Sequence, residues 1–280
     1  MNSCLQCVSN VPPLADIFLS PSLYTNSSAA TSRTRGHVAR AWVDLMRRFW
    51  GGGGEHGAPS AGRVETPDKL KSVVGAVASR FLGYEQQDSQ EFLGFLLDAL
   101  IDDTNRVSEK TPYRELSERP DQSDADVSQD WWRYYGERCV SRVRDLLTGQ
   151  LRTTVRCDVC SHVSRAFDPF TNLALPIPKA AQCAEKFGGG DGCSLRDCLA
   201  SFVTPETLSG SEAHYCSRCK AHRSCTKTMA IFRLPPVLIL HLKRFTFSTF
   251  RRSKISTDVR FPTEGLDMRP YLADRGAWLP

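Results

Sequence analysis

The sequence lacks a long apolar run: no stretch of about 18 or more hydrophobic residues occurs along its 280 residues. A transmembrane helix needs roughly 20 predominantly apolar residues, so we predict none. The first residues also lack the basic segment and apolar stretch that form a secretory signal peptide. From these two absences we expect a cytoplasmic or nuclear location.

A dense block of lysine and arginine is also missing. The 36 Lys and Arg residues exceed the 31 Asp and Glu residues only slightly, which gives a formal net charge of +5, and they are scattered along the chain. Surfaces that bind nucleic acid or anionic membranes normally cluster their basic residues. We therefore predict neither nucleic acid nor a membrane as a partner. The 41% of hydrophobic residues suffices for one large domain or two small ones.

Cysteine, in contrast, is abundant: the chain has 11, an odd number in a sequence without a recognisable secretory signal. In a reducing compartment this favours metal ligands and free thiols over disulfides. Two Cys-x-x-Cys pairs stand out, Cys157/Cys160 and Cys216/Cys219. Four thiolates in two such pairs match a closed tetrahedral zinc site with a structural role. The pairs are farther apart than in a usual zinc ribbon, so two unrelated pairs of buried or redox thiols are the alternative.

The other cysteines lack metal-ligand spacing. Cys225 follows the second pair closely and is either a spare ligand or, as we expect, a buried thiol. We expect core or surface thiols at four further cysteines: Cys139, Cys183, Cys193 and Cys198.

The first half of the chain is predicted to be mainly helical. Apolar residues near helical spacing predict helix over most of residues 1–50, and a second helix is predicted over about 67–81. The third helix is the clearest, because Asp88 is a candidate N-cap and Glu91 follows three residues later, as in a capping box. Its apolar stripe comprises Phe92, Phe95, Leu96, Ala99 and Leu100. Residues 108–130, rich in Glu, Asp, Ser and Pro, are predicted to be a solvated loop.

The second half is predicted to be mainly β-structure. Residues 151–155 read as a strand and residues 163–167 as its antiparallel partner, joined by the first Cys-x-x-Cys knuckle. Residues 179–193 contain several glycines and are predicted to be a loop. Residues 237–242 (VLILHL) form a nearly continuous apolar run, typical of a strand buried on both faces. The predicted class is α+β, with helices followed by a largely antiparallel sheet that carries a zinc hairpin.

Three stretches together carry a family resemblance. Residues 83–93 (GYEQQDSQEFL) resemble a Gln-Gln-Asp box that opens a thumb helix. Residues 149–177, from GQL through CDVC to LALPI, resemble a first zinc knuckle and the strand after it. Residues 216–262, through LHLKRF to FP, resemble a second knuckle and the palm strand before two blocking loops. In this order they resemble the ubiquitin-specific protease family, especially its compact members.

The resemblance implies a papain-like α+β fold with thumb, palm and fingers, present as a partial catalytic domain over residues 1–280 with an incomplete palm. Residues 1–148 would form the helical thumb, and residues 149–280 the fingers and the start of the palm. The family consists of thiol proteases that release ubiquitin from protein conjugates. The implied partners of this chain, a monomer, are therefore ubiquitin and ubiquitinated proteins.

The resemblance also assigns roles by position. It makes the four paired cysteines the ligands of a structural zinc ion. Asp88 and Glu91 become acidic contacts for the basic C-terminal tail of ubiquitin, a role compatible with capping the helix. Phe245 would line the channel that holds this tail, with a plain core aromatic as the alternative. His241 is expected to be a satisfied core histidine.

The same resemblance predicts that the chain carries no catalytic residue. The family's Gly-Asn-Thr-Cys-Phe segment, with its nucleophile, would precede Met1, and its histidine box would follow Pro280. Cysteine catalysis needs a thiolate held against an imidazole, so Cys4 or Cys7 would need a histidine partner. None of the six histidines lies in a recognisable box: His37, His56, His162, His214, His222 and His241. We therefore expect the chain to be inactive.

Three functions remain open from the sequence. In the first, the chain belongs to the deubiquitinase family, and its full-length form hydrolyses ubiquitin conjugates. The second is a non-catalytic ubiquitin-binding fragment or pseudoenzyme. The third is a zinc-ribbon nucleic-acid binder, suggested only by the knuckles and by basic residues near the second one. The Gln-Gln-Asp box and the LHLKRF strand have no place in the third.

Overall fold

In the computed structural model, the described residues are 2–50, 65–83, 85–116, 122–179, 181, 192–248 and 251–273. The chain divides into two compact units, Met1–Leu147 and Thr148–Pro280. The first is helical and the second contains the described β-strands. The fold is therefore α+β, as the sequence predicted. The names thumb, fingers and palm for these parts stay predictions.

The first unit contains seven described helices: α1 (Asn2–Ser9), α2 (Pro12–Leu19), α3 (His37–Trp50), α4 (Asp68–Val77), α5 (Ser89–Asp103), α6 (Asp124–Arg138) and α7 (Arg142–Leu147). The helix predicted over 67–81 is α4 followed by a 3₁₀ turn, Ser79–Phe81. Helix over most of residues 1–50 is confirmed for three segments, whereas residues 20–36 are not helical. Trp42 in α3 is fully buried and meets the ring of Phe18 edge to face, with centroids 6.3 Å apart.

Helix α5 begins where the sequence predicted. Asp88 is its N-cap, and its carboxylate accepts a hydrogen bond of 2.7 Å from the backbone N–H of Gln90. The predicted stripe is buried, with Phe95 only half-buried. The capping box is not completed, because the Glu91 carboxylate forms an ion pair with Arg80.

Asp103 at the end of α5 anchors residues 32–39, a role the sequence did not reveal. Its carboxylate is fully buried and accepts hydrogen bonds from both hydroxyls of Ser32 and Thr34. It also accepts from the backbone N–H groups of Gly36 and Ala39, each at 2.9 Å. A buried carboxylate with four donors is well satisfied, whereas removal of the acceptor would orphan all four.

The solvated loop predicted over residues 108–130 is wrong in its second half, because α6 begins at Asp124. The Ser123 hydroxyl accepts a hydrogen bond from the backbone N–H of Asp126, which caps the helix. Asp124 and Asp126 lie in the first turn, where carboxylates interact favourably with the helix dipole. Acidic composition was therefore a helix-start signal here and not a sign of disorder.

The second unit contains twelve described strands: β1 (Gly149–Cys157), β2 (Val163–Phe170), β3 (Leu173–Leu175), β4 (Cys193–Ser194), β5 (Glu206–Leu208), β6 (His214–Cys216), β7 (Ala221–Arg223), β8 (Cys225–Arg233), β9 (Leu240–Leu242), β10 (Phe245–Ser248), β11 (Arg251–Lys254) and β12 (Val259–Arg260). Its principal sheet is antiparallel in the order β2-β1-β8-β5. The predicted β1–β2 hairpin is confirmed, and both strands are longer than predicted. Helix α8 (Leu195–Val203) lies in the same unit and packs into its core through Cys198, Leu199 and Phe202.

The prediction for residues 237–242 needs correction. Only β9 is a strand, it pairs in parallel with β3, and its residues are half-buried, not buried on both faces. Pro235 and Pro236 directly precede the run, and proline disfavours ladder pairing because it lacks an N–H donor. The predicted loop over 179–193 lies mostly outside the described residues, and its last residue belongs to β4.

In the part of the chain that the structure describes, no helix is both long enough and apolar enough to span a membrane.

Candidate metal centre

The two Cys-x-x-Cys pairs meet in the second unit. The Sγ atoms of Cys157, Cys160, Cys216 and Cys219 all lie within 4.8 Å of one another. Cys157 and Cys216 are buried, whereas Cys160 and Cys219 are half-buried. Cys160 and Cys216 are 56 residues apart in sequence, yet their sulfurs are only 3.6 Å apart. The alternative of two pairs that lie apart from each other is therefore wrong.

The first knuckle is a turn at the end of the β1–β2 hairpin. Cys157 is the last residue of β1, and its backbone N–H donates to the His162 carbonyl oxygen at 2.9 Å. The N–H of Ser161 donates back to the Cys157 carbonyl oxygen at 2.9 Å. This turn reverses the chain within a few residues and brings Cys160 back beside Cys157.

The second knuckle is built in the same way between β6 and β7. Cys216 ends β6, and the backbone N–H of Cys219 donates to the Cys216 sulfur at 3.4 Å. The residue after the second cysteine of each pair has a positive φ: 57° at Ser161 and 53° at Lys220. This backbone region is uncommon for residues other than glycine. The two knuckles share this positive φ and therefore have a similar backbone conformation, which the spacing of the cysteines alone could not show.

The donor set fits a zinc ion. With Zn–S bonds of about 2.3 Å, tetrahedral geometry separates two sulfurs by about 3.8 Å, close to the distance between Cys160 and Cys216. Hydrogen bonds from the backbone N–H groups of Cys160 and Val159 lower the pKa of the Cys157 thiol to about 6, which favours the thiolate form that binds metal. The hydrogen bond between the Cys219 and Cys160 sulfurs raises the pKa of Cys219 to about 12. A cation among the sulfurs would favour the thiolate at every position.

Cys225 lies beside this cluster. It is buried, it is the register partner of Cys157 across β1 and β8, and its thiol donates to the Arg223 carbonyl oxygen at 3.3 Å. The expected burial of this thiol is thus confirmed. Of the other cysteines outside α1, Cys139, Cys193 and Cys198 are buried elsewhere, and Cys183 lies outside the described residues.

The residues proposed to contact ubiquitin are exposed. Asp88 caps α5 but its side chain stays on the surface. The Glu91 carboxylate pairs with the Arg80 guanidinium at 2.8 Å and remains about half-exposed. No sequence motif around Arg80 could have predicted this contact. Phe245, the first residue of β10, is 51% exposed, so the alternative of a plain core aromatic is wrong. His241 in β9 is half-buried.

The two cysteines in α1 show no sign of an activated nucleophile. The Cys4 thiol donates to the Ser89 carbonyl oxygen at 3.4 Å. Burial raises the pKa of this thiol, and no imidazole is among the groups that act on it. Cys7 lies on the same helix and is exposed. A thiol that donates to a carbonyl oxygen is protonated, and the thiolate is the nucleophilic form.

The family model for ubiquitin carboxyl-terminal hydrolases matches residues 1–277. The chain belongs to this family. It is 37% identical to ubiquitin carboxyl-terminal hydrolase 2 of Rattus norvegicus over 276 residues, which are 98% of this chain and 42% of that protein. It is 32% identical to ubiquitin carboxyl-terminal hydrolase 21 of Homo sapiens over 289 residues, which cover 98% of this chain and 48% of that protein. The chain thus spans less than half the length of these relatives.

Solved structures show the same fold. A SAGA DUB module of Ubp8, Sgf11, Sus1 and Sgf73, bound to monoubiquitin, matches with a TM-score of 0.66 and 22% identity. The match covers 98% of this chain and 52% of the solved Ubp8 chain. A second Ubp8 module, bound to ubiquitin aldehyde, matches with a TM-score of 0.63 and 22% identity. The prediction of a ubiquitin-specific protease fold is confirmed.

Proposed function

We propose that this chain is the zinc-bearing, ubiquitin-binding part of a thiol-dependent deubiquitinase that releases ubiquitin from protein conjugates in its longer form. The observation that carries the proposal is the family match over residues 1–277, together with relatives that are hydrolases of this type at 37% and 32% identity. The four-cysteine cluster supports it, because four sulfurs in the second unit lie close enough together to hold one metal ion.

The zinc ion in this proposal is structural. Four protein thiolates fill a tetrahedral coordination sphere and leave no position for a water molecule or a substrate. The ion would join the β1–β2 hairpin to the β6–β7 hairpin, whose cysteines are distant in sequence but adjacent in space. The negatively charged thiolates would hold the ion in tetrahedral geometry. The ion would cross-link the two hairpins and would take no part in catalysis.

The residues that would hold the ubiquitin tail are Asp88, Glu91 and Phe245. A basic tail is attracted by two carboxylates at the start of α5, and hydrogen bonds between charged groups are stronger than neutral ones. The helix N-terminus carries roughly half a positive charge, which opposes a cationic ligand. The two carboxylates face that half charge and the Arg80 cation paired with Glu91, so the start of the helix keeps only a small excess of negative charge. The exposure of all three side chains keeps them accessible to a partner.

The chain by itself, in this proposal, does not hydrolyse ubiquitin conjugates. Acyl transfer needs a thiolate beside a general base. Cys4 is held as a protonated thiol against a carbonyl oxygen, and four further cysteines form the metal cluster. These contacts favour the second function, a non-catalytic ubiquitin-binding protein, for the chain acting alone.

A fluorogenic ubiquitin substrate tests this directly. We expect no release of the fluorophore by the zinc-loaded chain above the rate in buffer, and the same result for Cys4→Ser and Cys7→Ser. An active relative serves as the positive control. Hydrolysis that disappears in Cys4→Ser or Cys7→Ser would show that the active site has been relocated to α1, and the proposal of an inactive chain would be abandoned.

The remaining features of the proposal concern partners and place. We propose a monomer in the cytoplasm or nucleus that binds neither nucleic acid nor membranes. Exposed basic residues do surround the second knuckle: Arg218, Lys220, His222 and Arg223. Retention of a labelled oligonucleotide by the zinc-loaded chain at about 0.15 M salt would instead support the nucleic-acid binder.

A further inference from the structure

A fifth thiol, that of the buried Cys225, lies beside the four-sulfur cluster. Cys225 is 1% exposed and belongs to the same buried cluster as Cys157 and Cys216, with Cys160 and Cys219 packed against it. The four assigned ligands come from the two knuckles, whereas Cys225 is the first residue of β8. Among the described cysteines outside the knuckles, it is the one that lies in this cluster.

The strand register places Cys225 directly opposite Cys157. The two are Cα partners across β1 and β8. The next pair along the ladder, Asp158 and Ser224, is hydrogen-bonded, because the Asp158 N–H donates to the Ser224 carbonyl oxygen at 3.0 Å. Hydrogen-bonded and non-hydrogen-bonded pairs alternate in an antiparallel ladder. Cys157 and Cys225 are therefore a non-hydrogen-bonded pair, the kind whose side chains approach most closely.

Directly opposed residues of an antiparallel pair project from the same face of the sheet. The Cys225 side chain therefore leaves the sheet on the side from which Cys157 reaches the cluster. Cys216 has no such substitute, because its register partner across β6 and β7 is Ala221. Of these two buried ligands, only Cys157 has a second thiol opposite it.

We propose that Cys225 is an alternate zinc ligand that replaces Cys157 when Cys157 cannot bind the ion. The Cys225 thiol gives up its hydrogen bond to the Arg223 carbonyl oxygen, loses its proton to solvent and completes a second set of four thiolates with Cys160, Cys216 and Cys219. The centre then keeps its metal when Cys157 is chemically blocked. This inference rests on the proposed zinc site.

Metal content of four proteins tests it: wild type, Cys157→Ser, Cys225→Ser and Cys157→Ser/Cys225→Ser, each refolded with excess zinc and dialysed. We expect about one equivalent of zinc in the first three and loss of zinc from the fourth, because four thiolates complete the site. Cys157→Ser/Cys139→Ser is the matched control, since Cys139 is a buried thiol of the other unit. It should retain zinc as the single variant does.

Cobalt provides a second measurement, because the intensity of its thiolate charge-transfer bands follows the number of cobalt–sulfur bonds. We expect Cys157→Ser to match wild type and the Cys157→Ser/Cys225→Ser protein to fall clearly below it. Loss of metal from Cys157→Ser alone, or failure of that variant to fold with zinc, would overturn the inference. So would equal zinc content in Cys157→Ser and Cys157→Ser/Cys225→Ser. Absence of zinc from wild type would instead refute the proposed zinc site itself.

Discussion

Arg80 and Glu91 form an ion pair, with 2.8 Å between Arg80 Nη1 and Glu91 Oε1, at the start of the helix that carries the proposed ubiquitin contacts. Both side chains are about half-exposed, so the pair is accessible to solvent and contributes at most about 1 kcal/mol. The pair matters for binding because it occupies a carboxylate that we assign to the ubiquitin tail. Arg80 would compete with the basic tail for Glu91.

Removal of this competitor should strengthen ubiquitin binding. We expect Arg80→Ala to raise the affinity for ubiquitin by about two- to five-fold, the range that corresponds to an exposed ion pair. Lys69→Ala is the matched control, because Lys69 is another exposed cation paired with a carboxylate in the same unit. Fluorescence anisotropy of labelled ubiquitin gives both affinities. Unchanged or weaker binding by Arg80→Ala would count against Glu91 as a contact.

The metal centre should depend on Cys216. We expect Cys216→Ser to lose zinc, because Cys216 is a buried member of the four-sulfur cluster and has no thiol as its register partner. Cys198→Ser, which removes a buried thiol from the same unit outside the cluster, should keep about one equivalent. Metal analysis of the purified proteins measures this. Full zinc occupancy in Cys157→Ser/Cys216→Ser would rule out the proposed site.

Phe245 should contribute an apolar contact to the ubiquitin tail. Because aromatic anchors at interfaces commonly cost more than 1 kcal/mol on truncation, we expect Phe245→Ala to weaken ubiquitin binding by about ten-fold. Phe261→Ala is the control, since Phe261 is 67% exposed in the same unit and has no assigned role. Similar affinities for the two variants in the anisotropy titration would remove Phe245 from the proposed binding surface.

Asp102 in α5 should make stability depend on pH. Burial raises its pKa from 3.8 to about 6, partly offset by Arg33, so the native state holds this proton to higher pH than the unfolded chain. The group therefore reduces stability as pH rises from about 4 through about 6. We expect Asp102→Asn to stabilise the protein relative to wild type at about pH 7.5 and much less at about pH 4. Urea unfolding at both pH values measures the difference. An equal effect at both would contradict the assigned pKa.

The sequence allowed the local elements around the site to be predicted better than their contacts. Asp88 as an N-cap, the stripe of α5 and the β1–β2 hairpin follow from periodicity and capping, which are short-range signals. The Arg80–Glu91 pair and the four donors to Asp103 depend on tertiary packing, which leaves no fixed spacing. The error at α6 arose because Asp and Ser suit both a solvated segment and a helix start.

At the metal centre, too, the local spacing was predictable from the sequence and the tertiary contacts were not. The Cys-x-x-Cys spacing predicted four ligands. The long separation between the two pairs did not determine that the four sulfurs lie together, which depends on the tertiary structure. The position of Cys225 depends on the register of β8 against β1, which hydrophobic alternation does not determine in strands rich in Thr, Lys and Arg.

The central claim is that the start of α5 binds the ubiquitin tail through charge, and one titration tests it most directly. Labelled ubiquitin is titrated with zinc-loaded wild type and with Asp88→Asn/Glu91→Gln, at low and at moderate salt, after circular dichroism shows both proteins folded. Asparagine caps a helix as well as aspartate does, so the double variant removes charge without removing the cap. We predict weak, saturable binding by wild type that falls as salt rises, and binding at least several-fold weaker in the variant, because hydrogen bonds to charged groups contribute roughly 1.5–3 kcal/mol each. Equal affinities of the two folded proteins would contradict the account and leave Asp88 with its capping role alone.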